Sequence, residues 1–230
     1  MTERPEIVIV ANPEALADAA AARIVSIVQA AAEAGQRCSI GLAGGGTPRD
    51  IYTRLALAEV PWDRVDFYFG DERCVPPDDV DSNYLMASQS LLAGLEGSGA
   101  RIFRMEAEAE DREAAADAYA ALLPPRIDVL LLGMGPDGHT ASLFPGHEAM
   151  QERARLVVPV KGPKPPPWRL TITAPVIEAA VHTLVMAHGA SKAEMISRVI
   201  DGPYNPQETP IQLALKGGIW FLDEAAAAQL

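Results

Sequence analysis

Short β-branched and aliphatic runs alternate with longer Ala- and Leu-rich segments along the whole chain, and this alternation limits the fold more than any other feature. Parallel strands need a crossover of a dozen or more residues, usually a helix, and strands covered on both faces read as unbroken apolar runs. The alternation therefore specifies an α/β fold with a mostly parallel central sheet. The clearest strand is IDVLLL at 127–132, between Pro125 and Gly133. Others are expected at 6–11, 38–42, 65–69, 101–105, 156–160, 170–173, 183–187 and 218–222. Helices are expected from Pro13 to a stop at Gly35, and from Thr47 as N-cap with Pro48 in the first helical position. Further helices are expected over 82–95, over 111–123, from about Ser191, and over 223–230.

At 230 residues the chain is long enough for one large α/β domain, or one with a small additional β lobe, and the expectation is a single domain over 1–230. An apolar share of 49% and a charged share of 22% exclude global disorder. A formal charge of -12 argues against nucleic acid or an anionic membrane as the main partner, because both need a cationic field. An anionic substrate must then meet a local basic cluster. Cys38 and Cys74 make no disulfide framework and read as buried free thiols. The opening Met-Thr-Glu-Arg-Pro has no apolar signal core, and no uncharged run approaches the roughly 20 residues that span a bilayer. A cytoplasmic protein is the expectation.

Four strand ends carry residues with chemistry: Gly44-Gly45-Gly46-Thr47, Asp71-Glu72-Arg73, the segment 133–140 and the segment 189–192. In an open parallel sheet, ligands bind beyond the carboxyl ends of the strands, so the four segments are expected to share one crevice. The glycine turn lies between a strand and a helix, where backbone N–H groups and the helix dipole suit a phosphate. Its plainer reading is a turn that lets the helix pack close to the strand. It is not a P-loop, because Thr47 is followed by Pro48 and Arg49. The segment Gly133-Met134-Gly135-Pro136-Asp137-Gly138 has the spacing of a dinucleotide fingerprint. That reading is rejected: the next strand ends in Lys161 rather than an acidic residue, and Asp137 would repel a pyrophosphate.

His139 is the candidate general base, since imidazole titrates nearest neutrality and a neighbouring carboxylate such as Asp137 fixes its tautomer. His147, His182 and His188 lack such company and read as surface or packing residues. Asp71, Glu72 and Arg73 follow the apolar run VDFYF directly, which brings them to the same sheet edge or leaves them as a solvated turn. Arg169 and Lys192 are the remaining cations with useful placement, unless they are ordinary surface charges. No His, Cys, Asp and Glu group has metal-ligand spacing, and no nucleophile elbow appears.

Together these segments resemble the 6-phosphogluconolactonase family, within the wider group that contains glucosamine-6-phosphate deaminase. The matching pieces are AGGGTP, FGDERCVPPDDVDSNY, LLGMGPDGHTASLFPG, PPWRLTIT, GASKA and IWFLDEAAAAQL, in family order across nearly the whole chain. The resemblance implies a three-layer α/β/α fold and hydrolysis of 6-phospho-glucono-1,5-lactone to 6-phosphogluconate without a cofactor. The deaminase-like pattern has Asp-Glu-Tyr at the first acidic site and a glutamate after the DGH segment. Here Arg73 follows Asp71-Glu72, and Ser142-Leu143-Phe144-Pro145-Gly146 follows the histidine, which favours the lactonase. One departure is that Ala43 and Gly46 stand where family members often carry serines.

The expected mechanism places the substrate phosphate on Gly44, Gly45, Gly46, Thr47, Arg169 and Lys192, and makes His139 the base that activates water. Asp71 or Asp137 orients the imidazole or the sugar hydroxyls. Arg73 stabilises developing negative charge or contacts the phosphate. No metal, cofactor, nucleic acid or membrane is expected, and the chain is expected as a monomer or small homo-oligomer. The rival readings are a sugar-phosphate isomerase or deaminase with Asp71 as carbon base, a sugar-phosphate sensor without turnover, and a nicotinamide oxidoreductase.

Overall fold

The computed structural model describes residues 4–230. The first half runs β1 (Glu6–Val10), α1 (Pro13–Glu33), β2 (Cys38–Leu42), α2 (Gly46–Leu55), β3 (Val65–Phe69), β4 (Asp71–Arg73), α3 (Asn83–Ser90), β5 (Arg101–Ile102) and α4 (Arg112–Ala120). The second half runs β6 (Val129–Gly133), β7 (Val157–Lys161), β8 (Trp168–Ile172), α5 (Ala174–Ala179), β9 (His182–Ala187), α6 (Ala193–Asp201) and β10 (Gly218–Asp223). Seven strands form one sheet in the order β1-β10-β9-β6-β2-β3-β5 with every neighbouring pair parallel. With helices on both faces this is the expected three-layer α/β/α arrangement. The small β lobe is a second, antiparallel sheet of order β4-β8-β7.

The strand order puts the site in its place. From β2 the chain adds β3 and then β5 on one side, whereas β6, β9 and β10 are laid down on the other. The direction of winding thus reverses between β2 and β6, and a crevice opens beyond their carboxyl ends. The core holding this sheet is continuous and includes Trp220, Phe67, Phe69, Phe221 and Tyr52, each less than 2% exposed except Phe221 at 2%.

Local chemistry explains most boundaries. In α1 the Asn12 side chain accepts from Ala15 N at 2.9 Å, Pro13 opens the helix, and Leu16, Ala20, Ile24 and Val28 form a buried stripe. By length and composition α1 would be long and apolar enough to cross a membrane, but this stripe is packed inside the fold against β10 and α2. Ser82 and Asp111 cap α3 and α4 in the same way, accepting from Leu85 N and Ala114 N. Cys38 is fully buried, and burial pushes its thiol up to about 12, whereas Cys74 is half-buried beside β4.

Several expectations need correction. Thr47 is not the N-cap of α2: the helix begins at Gly46, and Gly45 occupies the cap position with a φ of 109° and no side-chain hydrogen bond. A residue without Cβ turns the chain there, so Gly45 O accepts the first helical bond from Arg49 N at 3.2 Å. The strand expected over 101–105 is two residues long, and the helix expected over 82–95 ends at Ser90 before a tight 3-10 turn. Residues 224–229 form successive turns and no helix, since so short an isolated segment does not recover the cost of nucleation.

At the opposite sheet edge, Asp66 of β3 is buried between two arginines. Arg37 donates through Nε at 2.9 Å and Nη2 at 2.6 Å, and Arg101 donates through Nε at 2.6 Å and through Nη2. Burial alone would raise this carboxyl, but the hydrogen bonds and charges of Arg101 and Arg37 hold it below the usual range. A carboxyl depressed in the folded state contributes stability above its unfolded value near 3.9 and loses it as pH falls through the folded value. Asp66→Asn is therefore expected to cost about 2 kcal/mol at pH 7 in urea unfolding, with the gap to the parent closing below about pH 4. A gap independent of pH would contradict this account.

Candidate active site

The crevice at the β2–β6 reversal is a cleft of about 180 Å³. Its floor beyond β2 is Ala43 and Gly44. The buried Tyr52 hydroxyl holds that turn, donating to Ala43 O at 2.8 Å and accepting from Ala43 N at 2.9 Å. Tyr119 does the same at the end of β3, where its hydroxyl accepts from Phe69 N at 2.7 Å. Gly44 is needed for close approach: a Cβ there would stand 1.9 Å from Asn83 Oδ1. Gly45 and Gly46 are exposed where α2 begins, with Thr47 half-buried behind them, and only Gly44 of the four lines the cleft.

Beyond β6 the wall is Gly133, Met134, Gly135 and His139. The residues 135–138 form a tight turn with Pro136 in second position, closed by Gly138 N donating to Gly135 O at 3.1 Å. This turn folds Asp137 back onto His139: Asp137 Oδ1 lies 2.5 Å from Nδ1 and also accepts from His139 N at 3.3 Å. A carboxylate on Nδ1 sets the tautomer with the proton there and leaves Nε2 as the basic nitrogen for the cleft. Burial would push the Asp137 carboxyl up, but the hydrogen bond and charge of His139 bring it below the usual range. Gly135 makes room for the ring, since a Cβ there would fall 2.1 Å from its Cε1 and Nδ1. The fingerprint-like glycine spacing thus serves an imidazole.

The third wall comes from the small sheet and carries Asp71, Arg73 and Arg169. β4 and β8 pair Asp71 with Thr171 and Arg73 with Arg169. Asp71 is buried, and both its oxygens are taken: Oδ2 accepts from Ser142 Oγ at 2.6 Å and Oδ1 from Asn83 Nδ2 at 3.1 Å. Arg169 Nη1 is 4.0 Å from Asp71 Oδ2 and 3.4 Å from Ser142 Oγ. Burial lowers the Arg169 guanidinium from its usual value, opposed by Asp71 and reinforced by Arg73. The Nε atoms of Arg73 and Arg169 are both buried without a protein partner. Two arginines lining one polar cleft suit an anionic guest.

Glu72, between Asp71 and Arg73, points away and does structural work. Its Oε1 accepts from Arg73 N and Asn83 N at 2.7 and 2.8 Å, and its Oε2 from Tyr84 N at 2.7 Å and Ser82 Oγ at 3.1 Å. Lys192 does not line the cleft directly; its Nζ donates to Met134 O at 2.8 Å at the margin. Burial lowers its ammonium, with Asp137 opposing and Lys164 adding to the fall. The fold therefore brings His139, Asp137, Asp71, Arg73, Arg169 and Gly44 together. Of the two carboxylates, Asp137 is the one in hydrogen-bond contact with the imidazole.

Sequence reasoning missed Asn83 and Ser142. Both lie within segments already singled out, SNY and HTASLFPG, but neither carries a charge or a titratable group that would draw attention to it. Ala141, adjoining Ser142, has a φ of 47°, an unfavourable backbone for a residue with Cβ and one found where a site is held in a set shape.

The profile of a family described as glucosamine-6-phosphate isomerases/6-phosphogluconolactonase matches residues 11–221. A 6-phosphogluconolactonase from Streptomyces coelicolor is 38% identical over 252 residues, covering 100% of this chain and 96% of that protein. The solved structure of a 6-phosphogluconolactonase from Trypanosoma brucei superposes with a TM-score of 0.88 at 31% identity and 100% coverage of both chains. The structure of a monomeric glucosamine-6-phosphate deaminase superposes with a TM-score of 0.87 at 21% identity, over 98% of this chain and 100% of that one, which speaks for the fold alone. On a profile spanning nearly the whole sequence and full-length relatives above 30% identity, the chain belongs to the glucosamine-6-phosphate isomerase and 6-phosphogluconolactonase family.

Proposed function

We propose that the chain hydrolyses 6-phospho-D-glucono-1,5-lactone to 6-phospho-D-gluconate, with His139 as general base and a cationic phosphate anchor. The observation that carries this reading is the Asp137–His139 pair, with Nδ1 engaged and Nε2 left for the cleft that Arg73 and Arg169 also line. Nε2 takes a proton from water as the water oxygen attacks C1, and the carbonyl electrons move to the oxyanion. Collapse breaks the C1–ring oxygen bond, and the imidazolium returns its proton to the departing oxygen. One water is consumed, with no covalent enzyme intermediate and no need of metal or cofactor.

Arg169 and Lys192, with the backbone of the glycine turn, anchor the phosphate and so fix C1 near His139. Arg73 faces the same cleft, and its guanidinium serves the developing oxyanion. Asp71 positions Ser142 and lies 4.0 Å from Arg169. Asp71 is engaged by Ser142 and Asn83 whereas the Asp137–His139 pair fronts the cleft, so the isomerase or deaminase reading, which makes Asp71 the carbon base, has less geometric support. A single domain working in the cytoplasm on a small sugar-phosphate lactone accords with this chemistry.

The direct test generates the lactone in situ and subtracts its spontaneous hydrolysis. Acceleration by the purified protein supports the reading; background rate together with ammonia release from glucosamine 6-phosphate would replace it with the deaminase. In the same assay Arg169→Ala and Lys192→Ala are each expected to raise KM about tenfold or more with a smaller change in kcat, the loss of one charge-assisted hydrogen bond. An unchanged KM in both variants would remove the phosphate anchor from these residues.

A further inference from the structure

Phe144 has no part in the reaction as written, yet its ring touches both groups on which that reaction depends. Its centroid lies 5.0 Å from that of the His139 imidazole, with the planes inclined at 45°. The guanidinium carbon of Arg169 lies 5.7 Å from the same ring. On a third side the ring meets backbone: a Cβ at Gly162 would stand 2.8 Å from its Cε2, 2.9 Å from its Cζ and 3.3 Å from Arg169 Nε. Gly162 is the residue after β7, and its N–H donates to Pro167 O at 2.7 Å, closing the Pro-rich loop at its base. Base, cation and loop therefore converge on one buried ring.

A phenyl ring is flat, rigid and governed by two torsions, and one enclosed on three sides has nowhere to rotate. Its face also attracts a cation, which keeps Arg169 from moving towards the imidazole. We propose that Phe144 is a positioning residue: its ring fixes the separation of His139 and Arg169 and couples that separation, through Gly162, to the loop at 162–167. This inference rests on His139 being the base of the proposed reaction.

The experiment is a double-substitution cycle read in kcat and KM with the full-length protein. Phe144→Leu keeps most of the buried volume but removes the flat spacer, and is expected to lower kcat about tenfold with KM changed less than about threefold. Gly162→Ala presses the ring from the loop side and is expected to lower kcat by a similar factor. In the double variant the smaller leucine leaves room for the added methyl, so the combined loss stays near tenfold where independent effects would give about a hundredfold. Thermal unfolding of each variant checks that the protein is folded. Single variants that shift only the unfolding midpoint and keep full kcat overturn the proposal, and losses that simply multiply overturn the coupling to the loop. His139→Ala is assayed alongside: full turnover there would sink the base assignment itself, whereas a slow His139→Ala beside a normal Phe144→Leu removes only the role of Phe144.

Discussion

Replacing His139 with alanine is expected to lower kcat by about 10²- to 10⁴-fold while KM changes by less than about threefold. The size follows from what is lost. Water is a poor nucleophile at neutral pH, and in the proposed reaction Nε2 accepts its proton while Asp137 holds Nδ1 at 2.5 Å. The proposed phosphate anchor on Arg169 and Lys192 is untouched, so binding is expected to persist. The imidazole is part of the cleft surface and not of the core, so the variant should unfold at the parent's denaturant midpoint. Gly135→Ala offers a second route to the same effect, since a methyl 2.1 Å from the ring atoms must displace the imidazole without removing it. Background-subtracted initial rates at several lactone concentrations decide the matter, and a His139→Ala protein with parental kcat would require another base.

Glu72→Ala is expected to be the most damaging single change to stability, at about 3–5 kcal/mol in equilibrium unfolding. The Glu72 carboxylate gathers three backbone N–H groups, those of Arg73, Asn83 and Tyr84, together with the Ser82 hydroxyl, at a position only 4% exposed. Burial pushes its carboxyl up, and the backbone donors and the start of α3 pull it back. Alanine leaves four donors without this acceptor, two of them buried and two partly buried, each buried one costing about 1–3 kcal/mol before water or relaxation recovers part of it. Glutamine is no remedy, because its NH₂ would face N–H groups that need an acceptor. The site should suffer with the fold: Arg73 and Asn83 are both fixed by this carboxylate, and Asn83 in turn holds Asp71. A loss below about 1 kcal/mol would mean that solvent satisfies these donors and that Glu72 is dispensable.

These two residues show how differently parts of the molecule can be read from sequence. His139 stands out by residue type, by its carboxylate neighbour and by its place after an apolar strand. Glu72 looks like its neighbours Asp71 and Arg73, and only the packing of α3 against β4 turns it inward. The same holds for Asp71, a natural candidate for proton transfer from its motif, whose oxygens prove to be occupied by Asn83 and by Ser142, 71 residues away.

The parallel sheet was legible because its strands are local apolar runs: 38–42 and 65–69 match β2 and β3 to the residue. The helix starts expected at 82 and 111 fall on the residues that cap α3 and α4, Ser82 and Asp111, because capping is local backbone chemistry. β4 was not, because Asp-Glu-Arg has no apolar pattern and becomes a strand only by pairing with Leu170 and its neighbours on β8. The six-residue α5 was missed and the turns at 224–229 were expected as a helix, because segments so short take their form from what they pack against. The sequence by itself thus determined the layered architecture, the crevice and the candidate base, all set by patterns within a few residues. Only the tertiary structure decided which carboxylate contacts His139, which one anchors a helix, and which arginines face the cleft, because those depend on how segments are packed together.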